Sequence, residues 1–296
     1  MHILLTGATG LVGGRLVPAL LQAGHTLTLV SRKAHPTAPA GVQYAVWDGT
    51  TLPALTSPVD AVLNLAGAGI ADQRWTPQYK QVILQSRVQA TRACVAFIRQ
   101  AAQPPQVFLS ASAVGYYGPR TTDTPCQETD GPGSDFLGHV GKAWEAAAEG
   151  AGVRTVIPRI GIVLAHEGGA FPKLLAPFKL YAGGPIGTGR QGFPWIHIDD
   201  VVGAMLHLLA TPTATGPVNL VAPERHSNAS FGQVVGKALH RPSGLPVPTL
   251  AIKLLLGESA MLVTEGQFVA SDTLAALGYT FKYPTAEAAL AELIAH

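Results

Sequence analysis

The sequence predicts an α/β protein: a doubly wound parallel sheet formed by residues 1–160, and a smaller C-terminal α/β lobe over 161–296, woven into the first part. Three observations predict this. Apolar runs of strand length alternate with helical stretches through the first half, the pattern of repeated βαβ units. A glycine-rich turn stands at the first strand–helix junction. After Arg159 the alternation loosens, and Gly and Pro cluster at 183–194, 212–217 and 242–248.

Taken in order, His2–Leu5 reads as a strand, Leu11–Ala23 as a helix and Thr26–Ser31 as a second strand. Val42–Val46 and Ala61–Leu65 are further strands. Tyr79–Gln100 is a long helix, Gln106–Ala111 a strand, Gly138–Glu149 a helix and Val153–Ile157 a strand. Pro18 lies inside the first helix and should bend it or leave a gap in its bonding. In the second lobe helical patterns recur at 201–210, 231–239 and 286–295. No internal repeat or low-complexity segment interrupts the chain.

Composition narrows the function. Of 296 residues 47% are hydrophobic and 13% charged, ample for a large core, and the formal net charge is +2. Lys and Arg are scattered along the chain, which speaks against nucleic acid or an acidic membrane surface as partner. Cys94 and Cys126 stand in unrelated contexts without a CxxC. That argues against a disulfide framework or cysteine zinc site and fits a reducing cytoplasm. The start MHILLTG enters a strand directly, with no leader pattern. No run of about 18 apolar residues lacks Gly, Pro or charge. No His/Asp/Glu cluster has metal-ligand spacing.

The chemistry begins at Thr6-Gly7-Ala8-Thr9-Gly10-Leu11-Val12-Gly13, three glycines at GxxGxxG spacing between a strand and a helix. Gly7 permits the tight turn, Gly10 lets a pyrophosphate approach the backbone, and Gly13 lets helix and strand pack closely. The N–H groups at the helix start then face the anion. This is the dinucleotide-binding Rossmann arrangement; the alternative is a glycine turn without a ligand. An NAD site carries Asp or Glu after the second strand, for the ribose 2′-hydroxyl. Here the segment is Leu29-Val30-Ser31-Arg32-Lys33, and the first acid in the chain is Asp48. A guanidinium at Arg32, with Ser31 and Lys33 beside it, suits the 2′-phosphate of NADP(H). The alternative is that Arg32 and Lys33 only solubilise a loop. Asn64-Leu65-Ala66-Gly67 closes the strand from Ala61 with small residues that let a cofactor cross its end. Asp48 is a candidate acceptor for an adenine amino group, or else an exposed loop aspartate.

Together these pieces resemble the extended short-chain dehydrogenase/reductases, and more narrowly their atypical epimerase-like subfamily. The resemblance rests on TGATGLVG (6–13), NLAGAGIADQRWT (64–76), Ser86-Arg87 with Thr91, SASAVGYYG (110–118), PRIGIVLAHEGG (158–169), GGPIGTGRQGFPWIHIDD (183–200), PVNLVAP (217–223), LHRP (239–242), GES (257–259) and GYTFKYP (278–284). It covers essentially the whole chain. It implies a Rossmann core with a C-terminal substrate lobe, and it places Arg87 at the cofactor. Extended members use a Ser or Thr after the fifth strand and a Tyr-x-x-x-Lys pair on the next helix. Ser112 matches that serine and Lys142 that lysine, but four residues before Lys142 stands Gly138, with no phenol. Tyr116 and Tyr117 are the nearest phenols to Ser112, as proton donors or as packing aromatics. Without its tyrosine, Lys142 either binds ribose or is a solvated helix residue.

In the second lobe, the loop Gly183–Gln191 carries Arg190. Arg74 and Trp75 follow the fourth strand. A cation beside an indole suits an anionic substrate with a flat ring, and strand-end loops gather where such ligands bind; the alternative for all three is a solvated loop. His197 reads as a buried structural histidine, with Asp199 or Asp200 capping the helix that follows. The sequence thus predicts an NADP(H)-dependent oxidoreductase or epimerase acting on a small polar, anionic or nucleotide-linked molecule. The rival, favoured by Gly138, is a non-catalytic NADP(H)-binding sensor.

Overall fold

The computed structural model describes residues 1–34 and 37–295. Its first half runs β1 (His2–Thr6), α1 (Leu11–Gln22), β2 (Thr26–Ser31), β3 (Val42–Val46), β4 (Ala61–Asn64), α2 (Pro77–Gln100), β5 (Val107–Ser110), β6 (Ser112–Ala113), α3 (Phe136–Ala146) and β7 (Arg154–Ile160). Then come β8 (Ile162–Ala165), β9 (Gly168–Gly169), α4 (Phe171–Lys179), β10 (Trp195–His197), α5 (Ile198–Ala210), β11 (Gly216–Leu220), α6 (Asn228–Leu239), α7 (Thr249–Leu256), α8 (Met261–Thr264), α9 (Asp272–Ala276) and α10 (Ala286–Ala295).

The main sheet has the order β11-β7-β5-β4-β1-β2-β3, with β6 extending beside β7, and every pairing is parallel. Both faces are covered, which is why its strands read as continuous apolar runs. Ile3 and Leu5 pack with Leu16 and Leu20 of α1 and with Val201, Met205 and Leu208 of α5. Leu4, Val62 and Phe108 point the other way, onto Cys94 and Ile98 of α2. The fold is the expected Rossmann architecture, and β11 and α5 from the second half complete it. No helix among the described residues is long and apolar enough to cross a membrane.

Several local outcomes refine the sequence reading. Helix α1 continues through Pro18, because the proline and Gly14, whose carbonyl it leaves without a partner, both face solvent. Helix α2 starts at Pro77, two residues early, with Thr76 as N-cap accepting from the Tyr79 amide. Helix α3 starts at Phe136, with Asp135 accepting from the Leu137 and Gly138 amides. The small lobe carries its own sheet, β10-β8-β9, over a core of Phe171, Phe178, Trp195, Phe231 and Leu290. His197 is buried as expected, but it is His197 itself that caps α5, its Nδ1 accepting from the Asp199 amide. Asp200 instead holds the following segment, accepting from the Lys282 and Tyr283 amides and the Tyr279 hydroxyl. Burial comes first among the causes that push the Tyr279 phenol's pKa up, with the Asp200 charge beside it.

Candidate functional site

Strand β1 pairs with β2 on one side and β4 on the other, so the sheet reverses its winding at the carboxyl end of β1. Ligands of open α/β sheets bind at such a point. The glycine turn stands there. Gly7 has φ +74°, and a Cβ on it would lie 2.6 Å from the Leu65 carbonyl carbon; the turn and the β4 loop therefore touch backbone to backbone. A Cβ on Gly13 would lie 2.3 Å from the Gly7 oxygen. Gly10 differs: its backbone is extended (φ −77°, ψ 172°), and a Cβ there would meet only the Gly7 oxygen, at 3.4 Å. The protein does not need a glycine at 10, whereas a ligand lying against this backbone would. Thr9 and Gly10 are exposed, and Leu11 and Val12 open a helix with neither a side-chain cap nor an acid in its first turn. Uncapped N–H groups with the positive end of the helix dipole form an anion cradle.

Beneath the turn, side chains fix the floor. The Thr6 hydroxyl donates to Asn64 Oδ1 (2.7 Å), and Asn64 Nδ2 donates to the Thr91 hydroxyl (2.8 Å). Thr6 and Asn64 are fully buried, so their part is to hold strands β1 and β4 in register. Leu65, Ala66 and Gly67 continue as the backbone beside the turn. Arg87 lies against Gly67, and its Nη1 donates to the carbonyls of Ala68 (2.9 Å) and Ile83 (3.0 Å). Burial holds its pKa down to about 10. Among the described residues no carboxylate forms an ion pair with it, so it is a desolvated cation held by carbonyl dipoles and by the Trp144 ring, 5.0 Å from its guanidinium.

At the end of β2, Ser31 Oγ accepts from the Lys33 amide (3.2 Å), and Arg32 and Lys33 are exposed. Asp48 is exposed too, but one carboxylate oxygen accepts from the Thr50 amide, the Thr50 hydroxyl and the Thr51 amide (2.7–2.9 Å). These bonds, that from the Thr50 amide first, hold its pKa below the usual carboxylate range. Asp48 builds its own turn, which accounts for it without adenine.

The predicted catalytic residues are brought together only in part. Ser112 Oγ donates to Glu145 Oε1 (2.7 Å), and both oxygens of Glu145 accept from Arg159, at 2.8 Å. Arg159 Nη1 donates to the Tyr117 hydroxyl (2.9 Å), which donates to Asn219 Oδ1 (2.6 Å). Asn219 is held in turn by Glu128 and Ala270. Burial disfavours the charged form of Arg159, yet Glu145 and Tyr117 more than offset it and raise its pKa. Burial pushes the Tyr117 phenol up to about 12. Tyr117 is fully enclosed with its oxygen bonded twice, and so is a structural residue, contrary to the expectation of a proton donor. Tyr116 is half-buried, with its ring 3.7 Å from the Arg159 guanidinium. Lys142 lies exposed on α3. Gly138 faces the Gly133 backbone, where a Cβ would come within 2.3 Å of the carbonyl oxygen; that packing leaves no room for a tyrosine at 138.

Of the predicted substrate residues, Trp75 is buried, with its indole N–H donating to the Ile70 carbonyl (2.7 Å) and its ring edge-on to Phe136. It is core, not a platform for a flat ring. Arg74 is exposed and donates to the Leu255 carbonyl, and Arg190 is exposed on its loop. The sequence reading missed Glu145, Arg159 and Asn219. One signal was present: Arg159 is a charge near the end of the otherwise apolar stretch Thr155–Ile160 of β7, and a buried charge requires a partner.

The NAD dependent epimerase/dehydratase family matches residues 3–221, and a domain of unknown function, DUF1731, matches residues 247–293. The chain is 39% identical to epimerase family protein SSP1921 of Staphylococcus saprophyticus, over 99% of both chains. It is similar to the crystal structure of human epimerase family protein SDR39U1 (isoform 2) with NADPH, at 38% identity, 99% coverage of both chains and a TM-score of 0.89. It also resembles a nucleoside-diphosphate sugar epimerase from Corynebacterium glutamicum, at 30% identity and a TM-score of 0.80, covering 99% of this chain and 58% of that one.

Proposed function

Because the chain belongs to the NAD dependent epimerase/dehydratase family, we propose that it is an NADP(H)-dependent oxidoreductase or epimerase acting on a small polar, anionic substrate. The observation that carries the reading is Gly10, a glycine that no protein atom requires, at the open N-terminus of α1 and at the switch point of the sheet. NADPH in the human relative's crystal structure supports the choice of cofactor. Residues 1–160 hold the dinucleotide in this reading, and 161–296 mainly supply the substrate lobe.

The residues present fit the cofactor. Thr9, Gly10, Leu11 and Val12 receive the pyrophosphate, Arg32 with Ser31 and Lys33 receives the 2′-phosphate, and Leu65, Ala66 and Gly67 line its path. When bound, nicotinamide supplies a hydride donor or acceptor. The chain's own task is to polarise a substrate oxygen and move a proton, and Tyr116 is the phenol assigned to it, in the 3-10 turn Val114–Tyr117 that follows β6. Ser112, in β6, is engaged with Glu145 and ties that strand to α3. Arg87 lies at the cofactor in this reading, and Arg74 and Arg190 attract the anionic part of the substrate. The engagement of Ser112, the enclosure of Tyr117 and the glycine at 138 favour a second reading, a sensor that binds NADP(H) without turnover. Following NADPH absorbance against a panel of carbonyl compounds and sugar nucleotides separates the two. The enzyme reading predicts a substrate-dependent change, and the sensor reading predicts tight NADPH binding with no change on any of them.

A further inference from the structure

Among the large apolar side chains that the C-terminal lobe exposes are Leu180, Tyr181, Leu245, Leu250, Leu254 and Leu255. The segments that carry them interlock. Gly184 packs against the Leu245 backbone, and Ile186 bridges Val247. The Arg241 guanidinium lies 4.4 Å from the Tyr181 ring centre. Helix α7 buries none of its residues, and Leu250 and Leu254, one turn apart, are 70% and 75% exposed. Exposed leucines so grouped mark an interaction surface.

Charge along the segments that carry them has one sign. The segments 168–198 and 225–257 contain no Asp or Glu. Lys179 adjoins Leu180, Arg241 covers Tyr181, and Lys253 stands between Leu250 and Leu254. Among the described residues, none of these three cations forms an ion pair with a carboxylate. The nearest acid along the chain, Glu258, is taken by Lys80. Lys and Arg are scattered along the sequence, but these three stand on segments without acids.

We propose that this face docks on an anionic lipid bilayer, with the leucines of α7 and the adjoining loops in the headgroup–acyl boundary and the three cations at the headgroups. Surface-lying helices combine apolar and cationic side chains in this way. A second copy of the chain would set like charges against each other. A nucleic-acid backbone would leave the leucines in water. Arg74, which grips the Leu255 carbonyl, joins this face to the loop after β4, so docking brings the candidate substrate crevice near the lipid surface.

The test is co-sedimentation of the full chain with phosphatidylcholine–phosphatidylglycerol vesicles and with phosphatidylcholine vesicles. Binding is expected to the anionic vesicles only and to be lost on raising the salt. Lys179→Ala with Lys253→Ala should weaken partitioning about 30-fold, at the usual contribution of a cation near such a surface. Leu250→Ser with Leu254→Ser should also release the protein. Neither pair removes a buried side chain, so melting temperature and NADPH affinity should stay at wild-type values and identify the loss as surface-specific. Absence of binding, equal binding to both vesicle types, or unchanged binding by both variant pairs would each overturn the proposal.

Discussion

Two glycines three residues apart should fail in opposite ways. At Gly13 a Cβ would stand 2.3 Å from the Gly7 oxygen and 2.8 Å from the Ala8 Cα, both backbone atoms that no rotamer change can move. Gly13→Ala should therefore force α1 away from the turn at about 1–3 kcal/mol, the usual cost of overpacking, or a fall in Tm of a few degrees for a chain of this size. At Gly10 the backbone is already extended, and the sole neighbour of a Cβ is at ordinary contact distance. Gly10→Val should cost no more than about 1 kcal/mol, from the poorer N-cap, yet fill the place of the pyrophosphate. NADPH affinity should drop at least about 100-fold, ~2.8 kcal/mol. Thermal melting and calorimetric titration of both variants make the comparison. A Gly10→Val protein that binds NADPH like the wild type, or one that unfolds as readily as Gly13→Ala, refutes the reasoning.

Removing one member of the Glu145–Arg159 pair strands a buried charge, so Glu145→Gln should cost about 3–5 kcal/mol in urea unfolding; a loss under about 1 kcal/mol would mean the site is wetter than its burial indicates. Tyr117→Phe leaves Asn219 short of a donor and should cost about 1–3 kcal/mol of stability, whereas Tyr116→Phe, once a substrate is in hand, should lower kcat by about 10²–10⁴ with NADPH affinity unchanged; full activity in Tyr116→Phe places the proton donor elsewhere. Asp199 is partly buried, which alone would raise its pKa, but Lys282 and Arg15 bring it below the ordinary value. A depressed folded pKa contributes stability that is present above about pH 4, the unfolded value, and lost as pH falls through the lower folded value; Asp199→Asn should flatten that part of the stability–pH curve, and an unchanged curve would remove Asp199 as its source.

The Rossmann half was legible in the sequence because its determinants are local. Both faces of β1 and β4 are buried, so Ile3–Leu5 and Ala61–Leu63 are uninterrupted apolar runs, and the glycine turn must lie between β1 and α1. The second lobe was less legible because its strands are short: β9 has two residues and β10 three, too few for a period to show, and β11 is recognisable only by its pairing with β7. At the candidate site, residue type nominated side chains but not their hydrogen bonding. Nothing near Trp75 in sequence foretold that the Ile70 carbonyl would take its N–H, nor that the Tyr117 hydroxyl would donate to Asn219, over a hundred positions away. Such contacts follow from tertiary packing, and they decide which of the nominated side chains can meet a ligand.

The central claim is that the turn at Gly10 and the cation at Arg32 select NADP(H). Calorimetric titration of the wild-type chain and of Arg32→Ala with NADPH and with NADH tests it most directly. A charge-assisted contact to the 2′-phosphate contributes about 1.5–3 kcal/mol, so the wild type should prefer NADPH by about 10- to 150-fold. Arg32→Ala should lose most of that preference while its NADH affinity stays as it was. Equal affinity of the wild type for the two cofactors, or a variant that keeps the full preference, would contradict the account.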